Sequence, residues 1–171
     1  MIKNKVIFNT QRLVIRLLSH SDLPNYYDMV SDVEVMKYIK QPLNFNESKK
    51  ELSNFISYYE DKEHFKIWCV NKKSGKDLIG ICGYYLNDKD EYEIAYRLRH
   101  QFWKKGFGFE IGEGLINYLL QNVKLPKLTA YVMNENTKSI KVLENLGFKN
   151  SQFVNDKENL EYKYELINIC Y

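Results

Sequence analysis

Residues 91–112 read EYEIAYRLRHQFWKKGFGFEIG, and the order of elements in this stretch sets the reading of the whole chain. Its first half alternates. Glu93, Ala95 and Arg97 fall on one side and Ile94, Tyr96 and Leu98 on the other, the period of two that a pleated strand imposes. A basic turn with two glycines follows, Trp103-Lys104-Lys105-Gly106-Phe107-Gly108. Phe107, Ile111, Leu115, Tyr118 and Leu119 then recur at helical spacing, so the stretch predicts a strand, a turn and the start of a helix. Glycines let the backbone approach a ligand and aim several N–H groups one way. The helix start adds the positive end of its dipole, and Lys104 and Lys105 add full charge. Such a turn suits a phosphate group; it also suits a tight strand-to-helix connection with no ligand. A dinucleotide fingerprint would require glycine at position 111, where Ile111 stands, and no G-x-x-x-x-G-K-[ST] occurs in the chain.

Upstream, residues 11–17 predict a first strand, with helix-capping side chains at residues 19–22. Leu23, Tyr26, Tyr27 and Val30 mark one face of the next helix. A second short helix runs through Val35, Met36 and Ile39 before Pro42, and a third follows residues 46–48 with Leu52, Phe55, Ile56 and Tyr59 inward. Residues 65–70 and 78–85 flank a polar turn that contains Ser74-Gly75, the pattern of a hairpin. Downstream, the helix is expected to end near Asn122, and residues 128–133 form a strand after Pro126. Asn136 opens another helix with Ile140, Leu143 and Leu146, and Gly147 stands where a left-handed C-cap residue belongs. Two last strands are expected at residues 152–154 and 160–167, joined by a turn at residues 155–157. With no repeat, linker or low-complexity tail, residues 1–171 are expected to form a single mixed α/β domain.

A 44% hydrophobic content suffices for one core, and a formal charge of +3 tolerates an anionic ligand. That charge falls short of a nucleic-acid footprint, and Lys104 and Lys105 have no wider basic stripe beside them. Cys69, Cys82 and Cys170 are odd in number and scattered, which argues against a disulfide framework. They form no C-x-x-C pair, and His20, His64 and His100 show no ligand spacing, so no metal is expected. No apolar run approaches membrane length and the first residues carry no apolar signal core, so the expectation is a cytoplasmic protein without membrane partners. Glu93 can be a general base if partial burial raises its pKa, or simply a solvated strand carboxylate. Ser139 and Asn136 have plain readings as helix-start residues. The tyrosine pairs Tyr58-Tyr59 and Tyr84-Tyr85 read mostly as packing.

The turn at residues 103–108 resembles the acetyl-CoA pyrophosphate loop of the GNAT N-acetyltransferases, with Trp103 where most members carry Gln or Arg. That aromatic, with Glu110 shortly after, is similar to the RimJ/RimL branch, which acetylates ribosomal-protein alanine and serine N-termini. Three further stretches resemble that branch in order: residues 10–16 with Asp22, then Glu93-Ile94-Ala95-Tyr96, then Asn136-Thr137-Lys138-Ser139 with residues 142–148. The resemblance implies a GNAT fold, a mixed and mostly antiparallel sheet of about six to seven strands flanked by helices and splayed at the central strands. It implies transfer of acetyl from acetyl-CoA, the co-substrate, directly to an amine. The acceptor would be a protein N-terminus, a polyamine, an amino sugar or a metabolite. By the same resemblance, Leu98 and Arg99 hold the pantetheine arm, and the backbone of Lys104, Lys105, Gly106, Phe107, Gly108 and Phe109 takes the pyrophosphate. Asn136 also contacts the arm, Glu93 is the base, and Ser139 stands in for the missing tyrosine acid, whose position is Leu143. Residues 33–45 would line the acceptor side. A catalytically silent CoA-binding module is the alternative, and either a monomer or a homodimer is compatible.

Overall fold

The computed structural model describes residues 5–156 and 159–168. Eight strands form one open sheet among the described residues, in the order β1-β2-β3-β4-β5-β6-β8-β7. They are β1 (Val6–Asn9), β2 (Leu13–Arg16), β3 (Phe65–Lys72), β4 (Leu78–Leu86), β5 (Tyr92–Leu98), β6 (Lys127–Met133), β7 (Lys149–Asp156) and β8 (Asn159–Ile167). Neighbours run antiparallel except β5 and β6. Six or seven strands were expected; the eighth is β1. It is a four-residue edge strand held by Phe8, whose ring stacks on Tyr118 at 5.1 Å and meets Trp68 edge-on. Both partners are distant in sequence, so no local periodicity marks it. Lys157, in the expected last turn, and Cys170 lie outside the described residues.

Alternation along the strands divides the interior into two cores. Ile67, Cys69 and Ile81 face α1 (Leu23–Val30), α2 (Val33–Met36) and α3 (Phe45–Asp61). Trp68, Val70 and Cys82 face α4 (Phe107–Tyr118) and α5 (Thr137–Asn145). Cys69 and Cys82 are buried free thiols, which burial pushes to high pKa. Met29, rather than Tyr27, completes the inward face of α1.

The third helix starts earlier than residues 46–48 suggest. The Glu47 N–H donates to Asn44 Oδ1 at 3.0 Å and the Asn44 N–H to Glu47 Oε2 at 2.8 Å, a reciprocal cap that satisfies two otherwise orphaned donors. The expected capping at residues 19–22 is present: the Ser19 N–H donates to Asp22 Oδ2 at 2.8 Å, and Arg16 grips the same carboxylate through both Nη atoms. At the end of α5, Gly147 adopts φ 88° and Phe148 is buried, the expected left-handed stop with its apolar contact. Beyond α4 the chain widens into a five-residue π turn, Leu119–Val123, before β6.

Candidate active site

The site begins with a defect in the sheet. Seven register pairs join β4 to β5, yet β5 and β6 share a single parallel pair, Glu93 with Thr129. Thr129 Oγ1 locks that point by donating to the Tyr92 carbonyl at 3.1 Å. Past it the strands separate. Hydrogen-bonding direction alternates along an antiparallel strand. Because the Arg99 N–H donates to the Ile79 carbonyl at 2.9 Å, the amides of Glu93, Ala95 and Arg97 also face β4. Those of Tyr96 and Leu98 therefore face the gap. A cavity of about 400 Å³ opens there, with Tyr85, Glu93, Tyr96, Arg97, Ser139 and Leu143 in its walls. Tyr38 and Ile39 from the segment after α2 reach the same wall.

Glu93 sits on the α3 side of β5. Tyr85, its cross-strand partner, donates its hydroxyl to Glu93 Oε1 at 2.6 Å, and Asn87 Nδ2 donates to Oε2 at 3.2 Å. Burial raises the Glu93 pKa above the ordinary 4.5; the two donors oppose that rise, and nearby Glu161 adds to it. Tyr85 is thus more than packing: it orients the carboxylate. Glu91, two residues earlier, has a different environment. Tyr131 donates to its Oε2 at 2.8 Å and Lys163 pairs with Oε1. Burial pushes the Glu91 pKa up, and these two bonds, aided by Lys127, bring it below the ordinary value.

Across the gap, α5 presents its first turn. Asn136 caps it by accepting the Ser139 N–H at 3.3 Å. Ser139 and the phenol of Tyr96 share a cavity wall; burial raises the Tyr96 pKa, and the nearby Ser139 side chain opposes that rise. Tyr96, quoted above only as part of a strand pattern, therefore shares the position assigned to Ser139. Leu143 is buried and apolar where the family tyrosine would stand.

The expected phosphate turn lies at the open end of the gap. Gly106 adopts φ 77°, ψ 0° as the residue before α4, a conformation that suits glycine, and no side chain caps the helix behind it. The first N–H groups of α4 accordingly lack intrahelical partners. Lys104 is also left-handed, at φ 58°, and Lys105 Nζ donates to the Gln101 carbonyl at 2.8 Å. Trp103 braces the turn from below, its indole N–H donating to the Leu98 carbonyl at 2.9 Å. Of Leu98 and Arg99, only Leu98 keeps an amide toward the gap; Arg99 spends its N–H on Ile79 and its Nε on Asp28 at 2.8 Å.

Glu110, one turn into α4, was recognised only as part of a motif. Its Oε1 accepts the Thr10 hydroxyl and the Arg12 N–H, each at 2.6 Å, and its Oε2 accepts Arg12 Nε at 2.6 Å. Arg12 Nη1 continues to the Lys105 carbonyl at 3.0 Å, and its guanidinium lies 4.4 Å from the Phe107 ring centre. Burial raises the Glu110 pKa, but these donors outweigh it and hold the carboxyl below the ordinary value. The clamp ties β2 to the turn and fixes where α4 begins. Among the described residues no cluster of His, Cys, Asp and Glu could hold a metal ion, and no helix is long and apolar enough to cross a membrane.

A sheet parted at its centre, with an uncapped helix start at one end of the gap and a half-buried carboxylate at the other, defines a class. The family model for the acetyltransferase (GNAT) domain matches residues 12–149, and the chain belongs to that family. It is an enzyme, an N-acetyltransferase. The uncharacterized N-acetyltransferase p20 of Bacillus licheniformis is 30% identical over 152 residues, covering 87% of this chain and 85% of that protein. A RimL ribosomal-protein alpha-N-acetyltransferase bound to coenzyme A superposes with a TM-score of 0.82 at 15% identity, over 95% of this chain and 98% of that one. The spermidine N-acetyltransferase of Vibrio cholerae, solved with CoA and spermine, gives a TM-score of 0.77 at 20% identity, over 92% and 96%. At these identities the two structures attest the fold.

Proposed function

We propose that residues 1–171 form one domain that moves an acetyl group from acetyl-CoA directly to a primary amine bound on the α3 side of β5. The observation that carries this is the gap between β5 and β6, which opens one cavity to Glu93 on one side and to Ser139 and Tyr96 on the other. The residues suit the co-substrate: an uncapped helix start with Gly106 in a left-handed conformation for its phosphates, and free-facing strand amides for its arm. When bound, acetyl-CoA supplies an activated thioester, the source of the acetyl group.

Glu93 accepts the proton of the incoming ammonium, directly or through one water, and its raised pKa makes it a competent base nearer neutrality. The Tyr96 or Leu98 N–H polarises the thioester carbonyl, an oxyanion-hole device. The amine nitrogen bonds to the carbonyl carbon as the C–S bond breaks, the sulfur takes a proton from the Tyr96 or Ser139 hydroxyl, and the second amine proton passes through water to restore that hydroxyl. Tyr38 and Ile39 shape the acceptor end, and membership of the RimJ/RimL branch is part of this proposal. Release of free thiol from acetyl-CoA against peptides with Ser, Ala and Met N-termini, spermidine, aminoglycosides and amino acids tests the reading. Release with one class supports transfer; CoA binding with silence across the panel would favour a binding-only module.

A further inference from the structure

Arg97 is built unlike the other half-buried arginines of this end of the molecule. Arg16 holds Asp22 through both Nη atoms, and Arg99 holds Asp28 and the Leu78 carbonyl. Arg97 Nε and Nη1 are shielded from solvent and have no hydrogen-bond partner among the described residues. The residue nonetheless lines the cavity. The carboxylate that acts on it electrostatically is Glu51, but both Glu51 oxygens are engaged, one by the Tyr26 hydroxyl and the other by Lys40. Tyr26 is the other group that faces the guanidinium. Burial lowers the Arg97 pKa, the direction of a charge removed from water without full compensation. Buried donors are almost always partnered, and a forked guanidinium with empty N–H groups in a binding cavity matches an oxyanion in shape and charge.

The strand places that fork relative to the base. Tyr85, Gly83 and Ile81 of β4 pair with Glu93, Ala95 and Arg97, so the latter three share one face. Arg97 follows Glu93 by four residues, about 13 Å along the backbone at the usual strand rise, and Ala95 between them offers only a methyl group. Glu161 stands beside Glu93, so the cavity is negative at the amine end and positive at the Arg97 end. We propose that Arg97 determines acceptor specificity by receiving an oxyanion, carboxylate or phosphate, that the acceptor amine itself carries. The inference rests on the acetyl-transfer reading and deepens it: the acceptor is an amine with an anionic group at its other end, and a polyamine has the wrong second charge.

The test compares matched amines: each α-amino acid with its α-amide, phosphoethanolamine with ethanolamine, and spermidine as the cationic case. The expected result is a preference for the anionic member of at least one pair, collapsing toward one in Arg97→Gln. Its kcat/KM should fall by roughly 30-fold or more, as for a buried charge pair deprived of one partner. Arg97→Lys should restore part of the preference, and the acetyl-CoA KM of both variants checks their folding. A carboxylate pair that responds points to amino acids or peptides, and the phosphate pair to phosphorylated amines. A separate arm uses calorimetry of the same anionic amines on protein loaded with CoA, where no transfer can occur. Uptake by the natural protein and not by Arg97→Gln supports the subsite even if no amine is turned over, a result that would sink the transfer reading alone. Equal uptake or none by both proteins, or turnover indifferent to the anionic group, overturns the inference and leaves acetyl transfer standing.

Discussion

Two depressions, one beside the start of α4 and one in the parted sheet, each hold two carboxylates and one arginine. The larger, about 760 Å³ between β1 and α4, contains Glu110 bonded to both Arg12 and Thr10. The smaller, about 400 Å³ in the parted sheet, contains Glu93 and Arg97 on one strand face with no bond between them among the described residues. Their pKa shifts tell the same story. Glu110 is held below the ordinary value by its donors, whereas burial raises Glu93 and lowers Arg97. Charges that satisfy one another clamp the chain, and charges held apart at some cost to folding await a ligand. Size alone would choose the wrong depression.

The hardest test of the contrast is catalytic. Glu93→Gln should reduce kcat by about 10²- to 10⁴-fold, the usual worth of a positioned base, with little change in CoA affinity. Equal losses in both would remove Glu93 from proton transfer. Tyr85→Phe sharpens the point by sign. Its hydroxyl favours the ionised carboxylate, so without it the Glu93 pKa rises further and the acid limb of the kcat/KM profile moves to higher pH.

Stability should respond oppositely at the two carboxylates. Glu110→Gln at neutral pH should cost about 1–3 kcal/mol, because donors built for a carboxylate lose half their acceptor. Since the folded pKa of Glu110 lies below 4.5, its contribution is present above 4.5 and fades as pH falls through the folded value. Glu93 has its folded pKa above 4.5. Its ionisation burdens the fold increasingly as pH rises from 4.5 through that folded value, so Glu93→Gln should become relatively stabilising there. Urea midpoints of both variants, each taken relative to the natural protein, should diverge with opposite slopes from about pH 3 to about pH 8, and parallel curves would break the comparison. The smallest effect belongs to the turn between the depressions. Gly106→Ala forces an L residue to φ 77° with its Cβ 3.3 Å from Arg12 Nη2. It should cost about 1–2 kcal/mol and weaken CoA binding, read from melting with and without CoA.

Local chemistry was legible in the residues themselves. The period-two run at Glu93 to Leu98, the Asn136 cap, the left-handed Gly147 and the helix after the glycine turn all depend on neighbours within a few positions. So did the order of seven strands and five helices, and with it the family. Tertiary structure decided what the charged groups do. Glu110 meets Thr10 and Arg12 across about a hundred residues, Tyr85 reaches Glu93 only through β4–β5 register, and Lys163 neutralises Glu91 from a different hairpin. Strand alternation alone puts Glu91 on the face of Glu93, and Arg97 on that of Arg99. Backbone periodicity is a short-range property that the sequence carries directly. The pairing and burial that tune a charge come from distant segments, and exist only once the chain has folded.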